Sequence, residues 1–203
     1  MVKISNNPSV LFVISGPSGV GKDSLVSEIK RSGGDFYFAI TSTTRELRLD
    51  EQDGVDYVFL SKTQFETMIS LGELLEWAIV YDNYYGVPKD QIRQGLAKGK
   101  DIIIKTDVQG ANTIKDKFPQ SVSVFIAPGS YDDLKFRLKK RSKGKSPRNF
   151  DLRLSESKNE IEQSKFFDYV IINKENDLKN TINQFEKIVG MEKKLFRPEI
   201  LLN

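Results

Sequence analysis

A glycine-rich segment near the start of the chain combines the residue types that bind phosphate groups. It follows a short apolar run at residues 10–14 and precedes a stretch in which apolar side chains recur at helical spacing. Glycines let successive backbone N–H groups curve around phosphate oxygens, the N-terminus of the following helix adds its positive dipole end, and Lys22 can reach the outer phosphates of a bound polyphosphate. A glycine-rich turn of purely structural purpose is the alternative. The segment comprises Gly16, Pro17, Ser18, Gly19, Val20, Gly21 and Lys22.

The position directly after Lys22 departs from the usual phosphate loop. Most such loops carry a Ser or Thr there, whose hydroxyl binds Mg²⁺, whereas this chain has Asp23. Ser24 is the nearest hydroxyl that could take over this role. Asp23 could instead be a helix N-terminal carboxylate without a metal role, and the sequence leaves both interpretations open.

A second group of residues is suited to a phosphate monoester. Arg45 and Arg48 are three residues apart in a segment that we interpret as a loop, and Tyr57 and Tyr85 add hydroxyl donors. Two arginines can clamp a phosphate through bidentate, charge-assisted hydrogen bonds. The group therefore describes a site for a nucleotide 5′-phosphate. The alternative is a pair of solvated arginines with tyrosines in a minor core.

Four short apolar runs are predicted to form the strands that position these residues. They alternate with stretches of helical periodicity, which is typical of a wound α/β sheet with parallel strands. Pro88 and Gly99 bracket one predicted helix, Ser130 with Asp133 starts another, and a third spans about 177–195. The apolar runs are residues 10–14, 102–104, 122–126 and 169–172.

Two segments interrupt this alternation. Residues 41–88 are rich in turns and aromatic side chains and predict a small mixed α/β insertion, within which residues 42–53 form a loop. Residues 143–148 contain two chain breakers and almost nothing to bury, which predicts a mobile flap between two helices. We therefore expect a core domain of residues 1–40 and 89–203 with a lid at about 139–150.

Composition excludes much of enzyme chemistry. The 203-residue chain has neither cysteine nor histidine. Disulfides, thiol nucleophiles and thiolate metal sites are thus excluded, and the commonest general base and zinc ligand is absent. Catalysis would depend on Lys, Arg, Asp, Glu, hydroxyls, backbone amides or a hard cation such as Mg²⁺.

The net charge of +3 is unevenly distributed. Residues 134–153 contain nine basic residues against Asp151 alone, so the rest of the chain is net negative. This distribution argues against a nucleic-acid partner and favours a small polyanion bound at one local site. No apolar run approaches the roughly 20 residues of a membrane-spanning helix, and the first predicted strand begins within ten residues of Met1. We expect a cytoplasmic protein with no membrane partner.

Several further motifs make the chain resemble guanylate kinases, a family of nucleoside monophosphate kinases. The resemblance runs in order from Phe12 to about Phe185. It implies a phosphate-loop α/β fold of three α/β/α layers with a parallel sheet core, a GMP-binding insertion at residues 41–88 and a helical lid. It also implies ATP and GMP as partners and makes no prediction of the oligomeric state. Beside the phosphate loop, the motifs are residues 42–48, 54–59, 75–77, 83–86, 107–110 and Asn173.

For the GMP half, the resemblance implies a role for each matching residue. Glu76 would read the base, because one carboxylate can accept the adjacent N1–H and N2–H₂ donors of guanine, whereas adenine presents an acceptor at N1. The alternative is a surface glutamate at the end of a helix. Asp107 is a further GMP-side residue. The residues implied to hold the GMP phosphate are Ser42, Arg45, Arg48, Tyr57 and Tyr85.

For the ATP half, the resemblance implies that residues 16–24 hold the nucleotide and that Asn173 contacts adenine. Lys22, Arg137, Arg141 and Arg153 would neutralise charge on the transferring phosphoryl group, which needs positioning more than an acid or a base. Mg²⁺ is the implied cofactor, near Ser24 or Asp107. Transfer would be direct and in line, with dGMP as a second acceptor. A solvated basic helix is the alternative, and it fits the neighbouring lysines better than the arginines.

Two residues depart from the family pattern. Val87 stands where the family usually has a hydroxyl residue, which leaves guanine selectivity to Glu76. Lys105 stands where the family usually has an acidic residue, and it could contact a phosphate or form a salt bridge with Asp23 or Asp107. These departures give some weight to a guanylate-kinase-like protein-binding module that has lost catalysis. A kinase for a phosphorylated sugar is a further alternative, but it would have no use for Glu76.

Overall fold

The structure of the protein, a computed structural model, describes residues 8–49, 51–141, 147–195 and 197–202, with the backbone alone for residues 141 and 147–149. The chain divides into two compact units. Unit 1 is made of residues 1–13, 35–121 and 196–203, and unit 2 of residues 14–34 and 122–195. Part of the predicted lid and flap, residues 142–146, lies outside the described residues.

Among the described residues, strands and helices alternate over most of the chain. The strands are β1 (Leu11–Ser15), β2 (Phe36–Phe38), β3 (Ser42–Thr43), β4 (Val58–Phe59), β5 (Leu74–Val80), β6 (Asn83–Pro88), β7 (Asp101–Lys105), β8 (Val122–Pro128) and β9 (Tyr169–Asn173). The helices are α1 (Lys22–Arg31), α2 (Lys62–Ser70), α3 (Lys89–Ala97), α4 (Val108–Lys117), α5 (Tyr131–Arg141), α6 (Pro147–Glu162) and α7 (Leu178–Glu192).

The apolar runs form the core sheet. Its strand order is β2-β7-β1-β8-β9, and the pairs β2/β7 and β8/β9 are parallel. All four runs predicted as strands are confirmed, as β1, β7, β8 and β9. Every residue of β1 is buried, as expected for a strand covered on both faces. Phe12, Phe125 and Phe185 are among the largest side chains without solvent exposure.

Three predicted helix boundaries agree with the structure. Helix α3 begins directly after Pro88 and ends before Gly99. The hydroxyl of Ser130 accepts a hydrogen bond of 3.0 Å from the backbone N–H of Asp133 at the start of α5. Helix α7 covers most of the predicted span of 177–195. The flap prediction is wrong at its end, because Pro147 and the residue after it already belong to α6; proline is favoured in a first helical turn.

A second sheet, β4-β3-β6-β5, lies within residues 42–88. Strands β5 and β6 form an antiparallel hairpin whose two turn residues, Tyr81 and Asp82, both have positive φ angles, as a type I′ turn requires. The loop predicted for residues 42–53 is wrong at its first two positions. Ser42 and Thr43 form β3, which pairs with β4 in parallel and with β6 in antiparallel orientation.

No helix among the described residues is both long enough and apolar enough to cross a membrane.

Candidate active site

The glycine-rich segment connects β1 to α1, the context expected of a phosphate loop. Gly16 has a φ of 137°, and a Cβ atom there would lie 2.3 Å from the carbonyl oxygen of Ile126, so only glycine fits. The ammonium group of Lys22 donates hydrogen bonds to the carbonyl oxygens of Gly16 and Pro17, the latter at 3.1 Å. Lys22 thus folds back onto the carbonyl oxygens of its own loop.

A hydrogen-bond network, buried at Asn173 and Thr181, supports the loop at the carbonyl oxygen of Val20. Asn173 donates from Nδ2 to this oxygen at 2.8 Å, and Arg137 donates from Nη1 at 3.0 Å. Arg137 also donates to the Asn173 carbonyl at 3.1 Å, and the Asn173 side-chain oxygen accepts from Thr181 at 3.0 Å. The network joins β9, α5 and α7 to the loop. Contact of Asn173 with adenine and of Arg137 with the transferring group stay predictions.

The other predicted ATP-side residues occupy three helices. Asp23 and Ser24 are exposed in the first turn of α1. Arg141 is the last residue of α5, and its side chain lies outside the described part of the structure. Arg153 is partly exposed in α6, where its carbonyl accepts a hydrogen bond from Ser157 at 2.6 Å. The catalytic roles of these two arginines stay predictions.

In unit 1, Arg45 and Arg48 are held by the same carboxylate. Arg45 donates from Nη1 and Nη2 to the two oxygens of Glu51, each at 2.6 Å. Arg48 donates to Glu51 from its backbone N–H at 3.1 Å and from Nη1 at 3.3 Å. Burial alone would raise the pKa of Glu51, but these hydrogen bonds outweigh it and hold the pKa below its ordinary value. Glu51 is therefore a carboxylate at neutral pH.

Two tyrosines and a lysine complete this cluster. The guanidinium carbon of Arg45 lies 4.8 Å from the centre of the Tyr57 ring, and Tyr57 packs edge-on against Tyr85 at 6.2 Å. The ammonium group of Lys105 lies 4.4 Å from the centre of the same Tyr57 ring. Two cations thus share one aromatic ring, which is favourable for each of them separately. Lys105 adds a third positive charge to the arginine pair.

Glu76 lies in β5 with 2% of its surface exposed, so the alternative of a surface glutamate at a helix end is wrong. Its Oε1 accepts a hydrogen bond from Thr106 at 3.2 Å, whereas the buried Oε2 has no hydrogen-bond partner among the described residues. Burial is the main cause that raises the pKa of Glu76 to about 8, and the charge of Asp107 adds to it. A buried acceptor oxygen without a donor is costly to the protein alone and suits a ligand that brings donors.

The start of α4 closes one side of this carboxyl group. A Cβ atom on Gly110 would lie 2.6 Å from Oε2 of Glu76 and 2.3 Å from the Thr106 hydroxyl, so glycine is required for this approach. Asp107 is the N-cap of α4 and accepts hydrogen bonds from Gln109 and Gly110 at 2.8 and 3.0 Å. Asp107 thus has a structural role as a helix cap, and its role toward GMP or Mg²⁺ stays a prediction.

One face of the β5/β6 hairpin carries both ends of the predicted nucleotide site. Glu76 lies opposite Val87, and Ala78 lies opposite Tyr85. Because side chains alternate along a strand, Glu76 and Tyr85 share a face as diagonal neighbours, about 7–8 Å apart. Trp77 belongs to the opposite, partly exposed face. A carboxylate for a base and a tyrosine of the arginine cluster therefore lie on the same face of the hairpin. Ser42, buried in β3, pairs with Gly86 next along β6.

Three residues of these clusters were missed by sequence reasoning. Glu51 follows Arg45 by six residues and Arg48 by three, so an acid close to two arginines was the available signal. Thr106 lies between Lys105 and Asp107, both of which were candidate site residues at the end of β7. Thr181 gave no signal, because its partner Asn173 is fixed only by the packing of α7 on β9.

Comparison with known proteins decides the family. The family model described as "Guanylate kinase" matches residues 9–192. The chain belongs to the guanylate kinase family. "Guanylate kinase" of Carboxydothermus hydrogenoformans is 41% identical over 184 residues, covering 91% of this chain and 89% of that protein. "Guanylate kinase" of Clostridioides difficile is 39% identical, covering 91% of this chain and 88% of that protein.

A solved structure supports the same assignment. The crystal structure of guanylate kinase from Anaplasma phagocytophilum matches with a TM-score of 0.76 and 29% identity, covering 93% of this chain and 88% of that chain. The predicted fold class, an α/β guanylate kinase fold with a parallel sheet core, is confirmed. The boundaries of the predicted core, insertion and lid stay predictions.

The pKa of Glu76 predicts that GMP binding to this guanylate kinase family member depends on pH. Below pH 8 the carboxyl group is largely protonated in the protein alone, and only the carboxylate accepts both guanine donors. The dissociation constant for GMP is therefore expected to fall by about tenfold per unit between pH 6.5 and 7.5 and to level off above pH 8. Calorimetric titration in buffers of different ionisation enthalpy would also detect release of one proton.

The control for this pH dependence is Glu76→Gln, which removes the titrating group. Phosphate monoesters complete their second ionisation near pH 6, so the phosphate of GMP contributes little above pH 7. A dissociation constant that does not change between pH 7 and 8 in the unmodified protein would contradict the prediction.

Proposed function

We propose that this protein transfers the γ-phosphoryl group of ATP to GMP, giving ADP and GDP, and that it also accepts dGMP. The observation that carries the proposal is the buried Glu76 carboxyl group, whose Oε2 has no donor among the described residues. It lies on the same sheet face as Tyr85, whose ring meets the arginine cluster through Tyr57. Membership of the guanylate kinase family supports the same reaction.

Guanine fits the chemistry of the Glu76 carboxylate. Guanine N1–H and N2–H₂ are neighbouring donors, so guanine supplies the hydrogen bond that Oε2 lacks. Adenine presents an acceptor at N1 and would place it against a buried carboxylate, leaving two acceptors unpaired. Val87, fully buried opposite Glu76, offers no hydrogen-bonding group from its side chain, so base selection rests on Glu76.

The arginine cluster fits the phosphate end of GMP. Arg45 and Arg48 supply bidentate donors, and Tyr57 and Tyr85 supply hydroxyl groups. Lys105, 4.4 Å from the centre of the Tyr57 ring, adds a cation where the family usually has an acid. We infer that Lys105 strengthens the attraction for the phosphate of GMP. A kinase for a phosphorylated sugar would have no use for the buried Glu76 carboxyl group.

The phosphate loop fits the polyphosphate of ATP. Phosphoryl transfer needs positioned nucleotides and positive charge around the transferring oxygens rather than a histidine or a covalent intermediate. Lys22 holds the carbonyl oxygens of Gly16 and Pro17 and would exchange these for phosphate oxygens, which are stronger acceptors. Arg137, Arg141 and Arg153 are proposed to add charge during transfer, with Asn173 beside the adenine.

The residues near the loop suit Mg²⁺, the proposed cofactor. Mg²⁺ takes hard oxygen ligands and is usually held by one or two protein groups together with substrate phosphates. The exposed Asp23 carboxylate and Ser24 hydroxyl are such donors, and no cluster of three metal-binding side chains exists among the described residues. Ser24 or Asp23 would hold the ion on the ATP side, with Asp107 as a further candidate, where it neutralises phosphate charge.

The test is a coupled assay of diphosphate formation from ATP with GMP, dGMP, AMP, CMP and UMP offered separately. Turnover confined to GMP and dGMP is expected. Binding of GMP without turnover would instead support the protein-binding module, and turnover with AMP would exclude the assigned role of Glu76. A cytoplasmic location and the absence of nucleic-acid and membrane partners stay predictions from the sequence.

A further inference from the structure

Glu51 belongs to none of the groups that contact a substrate in the proposed function, yet it is the common partner of both arginines. Its side chain is 12% exposed and that of Arg45 is 10% exposed. Three of its four contacts come from guanidinium groups and one from the Arg48 amide. A carboxylate this enclosed between two arginines fixes where their guanidinium groups lie.

The edge of Arg45 that Glu51 occupies is informative. A guanidinium group has five N–H donors, arranged as an end-on edge formed by Nη1 and Nη2 and a side-on edge formed by Nε and Nη2. Glu51 takes the end-on edge with bonds from both Nη atoms, and the carbonyl of Glu46 takes the second hydrogen of Nη1 at 2.9 Å. The hydrogen of Nε and the second hydrogen of Nη2 have no partner among the described residues. They form the complete side-on edge.

We propose that Glu51 is a positioning residue for monophosphate recognition. It binds the end-on edge of Arg45 and the amide and side chain of Arg48. The side-on edge of Arg45 is thereby left to receive the phosphate of GMP. This inference rests on the proposed function, because it concerns the same phosphate site. A planar guanidinium group held from one edge presents the other in a fixed orientation, which lowers the entropy lost on binding.

Simple electrostatics makes the opposite prediction, which allows a decisive test. Glu51 is a negative charge beside a site for a dianion, so its removal alone would strengthen phosphate binding. If Glu51 merely competed with the phosphate for the arginines, its removal would likewise strengthen phosphate binding. A positioning role instead makes the loss of Glu51 harmful to GMP binding but not to guanosine binding.

The experiment measures binding of GMP and of guanosine, without ATP, to the unmodified protein and to Glu51→Gln by NMR titration, which also quantifies weak binding. Glu51→Gln is expected to weaken GMP binding by about 10- to 100-fold and to change guanosine binding less than twofold, because guanosine lacks the phosphate. Glu46→Gln is the matched control, since it removes an exposed charge from the same loop, and GMP binding should change less than twofold.

A double-mutant cycle separates positioning from general structural damage. Since Glu51 acts mainly through Arg45, its replacement in an Arg45→Ala background should cost no more than about threefold in GMP affinity. Unchanged or tighter GMP binding by Glu51→Gln, an equal loss for guanosine, or fully additive losses in the cycle would each overturn the inference. Failure of the unmodified protein to bind either ligand would overturn the proposed function, and this inference with it.

Discussion

Replacing Glu76 by Gln is expected to lower kcat/KM for GMP by about 10²- to 10³-fold while the KM for ATP stays within about twofold. The amide turns one of two acceptor oxygens into a donor and points it at a donor of guanine, so two buried groups lose their partners. Each such loss costs on the order of 1–3 kcal/mol. Steady-state kinetics with each nucleotide varied in turn would measure both effects.

The control for Glu76 is Glu73→Gln, which makes the same change at an exposed position just before β5. Its kinetics should match those of the unmodified protein.

The folded-state pKa of Glu76 is raised from 4.5 to about 8, so the stability that Glu76 contributes falls as the pH rises through this window. Glu76→Gln should therefore unfold at the same or a higher temperature at pH 8. Unchanged GMP kinetics in this variant would remove Glu76 from the base site.

Replacing Lys22 by Met is expected to lower kcat by about 10²- to 10³-fold, the usual cost of removing one group that stabilises charge in a transition state. Methionine keeps the length of the side chain but carries no charge for phosphate oxygens. The apparent affinity for ATP should also fall, whereas the dissociation constant for GMP should change less than twofold. Single-turnover transfer and equilibrium titration with GMP would separate these quantities.

The matched control is Lys179→Met, which removes an exposed lysine from α7 in the same unit. Its kcat should equal that of the unmodified protein. Lys22 also donates to two carbonyl groups of the loop, so a thermal melt shows how far the variant loses stability. A kcat within threefold of the unmodified value would show that the loop does not act on a transferring phosphoryl group.

Local patterns in the sequence were enough to predict the core strands and the phosphate loop. The run at residues 10–14, the glycines after it and the helical spacing beyond form one contiguous signal, and the structure has β1, the loop and α1 there. Strand β3 has only Ser42 and Thr43, and it exists because β4 and β6 pair with it on both sides. Such a strand has no pattern of its own to detect.

The contacts that organise the site depend on pairings distant in sequence. Arg137 and Asn173 meet the carbonyl of Val20 across 117 and 153 residues. The residue types of Arg137 and Asn173 suggested contacts with a ligand. A side chain that donates to a backbone carbonyl and one that donates to a nucleotide can be of the same residue type, so residue type alone does not separate the two roles. Glu76 is buried because of the register of its strand and the position of the start of α4. Local patterns in the sequence reveal neither of these. Glu51 was nearby in sequence and was missed because charge complementarity in a loop has no periodicity.

The most direct test offers the protein an equimolar mixture of GMP, AMP, CMP and UMP with limiting γ-³²P-ATP and Mg²⁺, and identifies the labelled products by chromatography. Competition in one vessel compares kcat/KM values directly and is insensitive to differences in enzyme concentration. We expect GDP to carry nearly all of the label, and Glu76→Gln to lose this preference. Label in ADP, CDP or UDP at a level comparable to GDP, or no transfer to any acceptor, would contradict the proposed function.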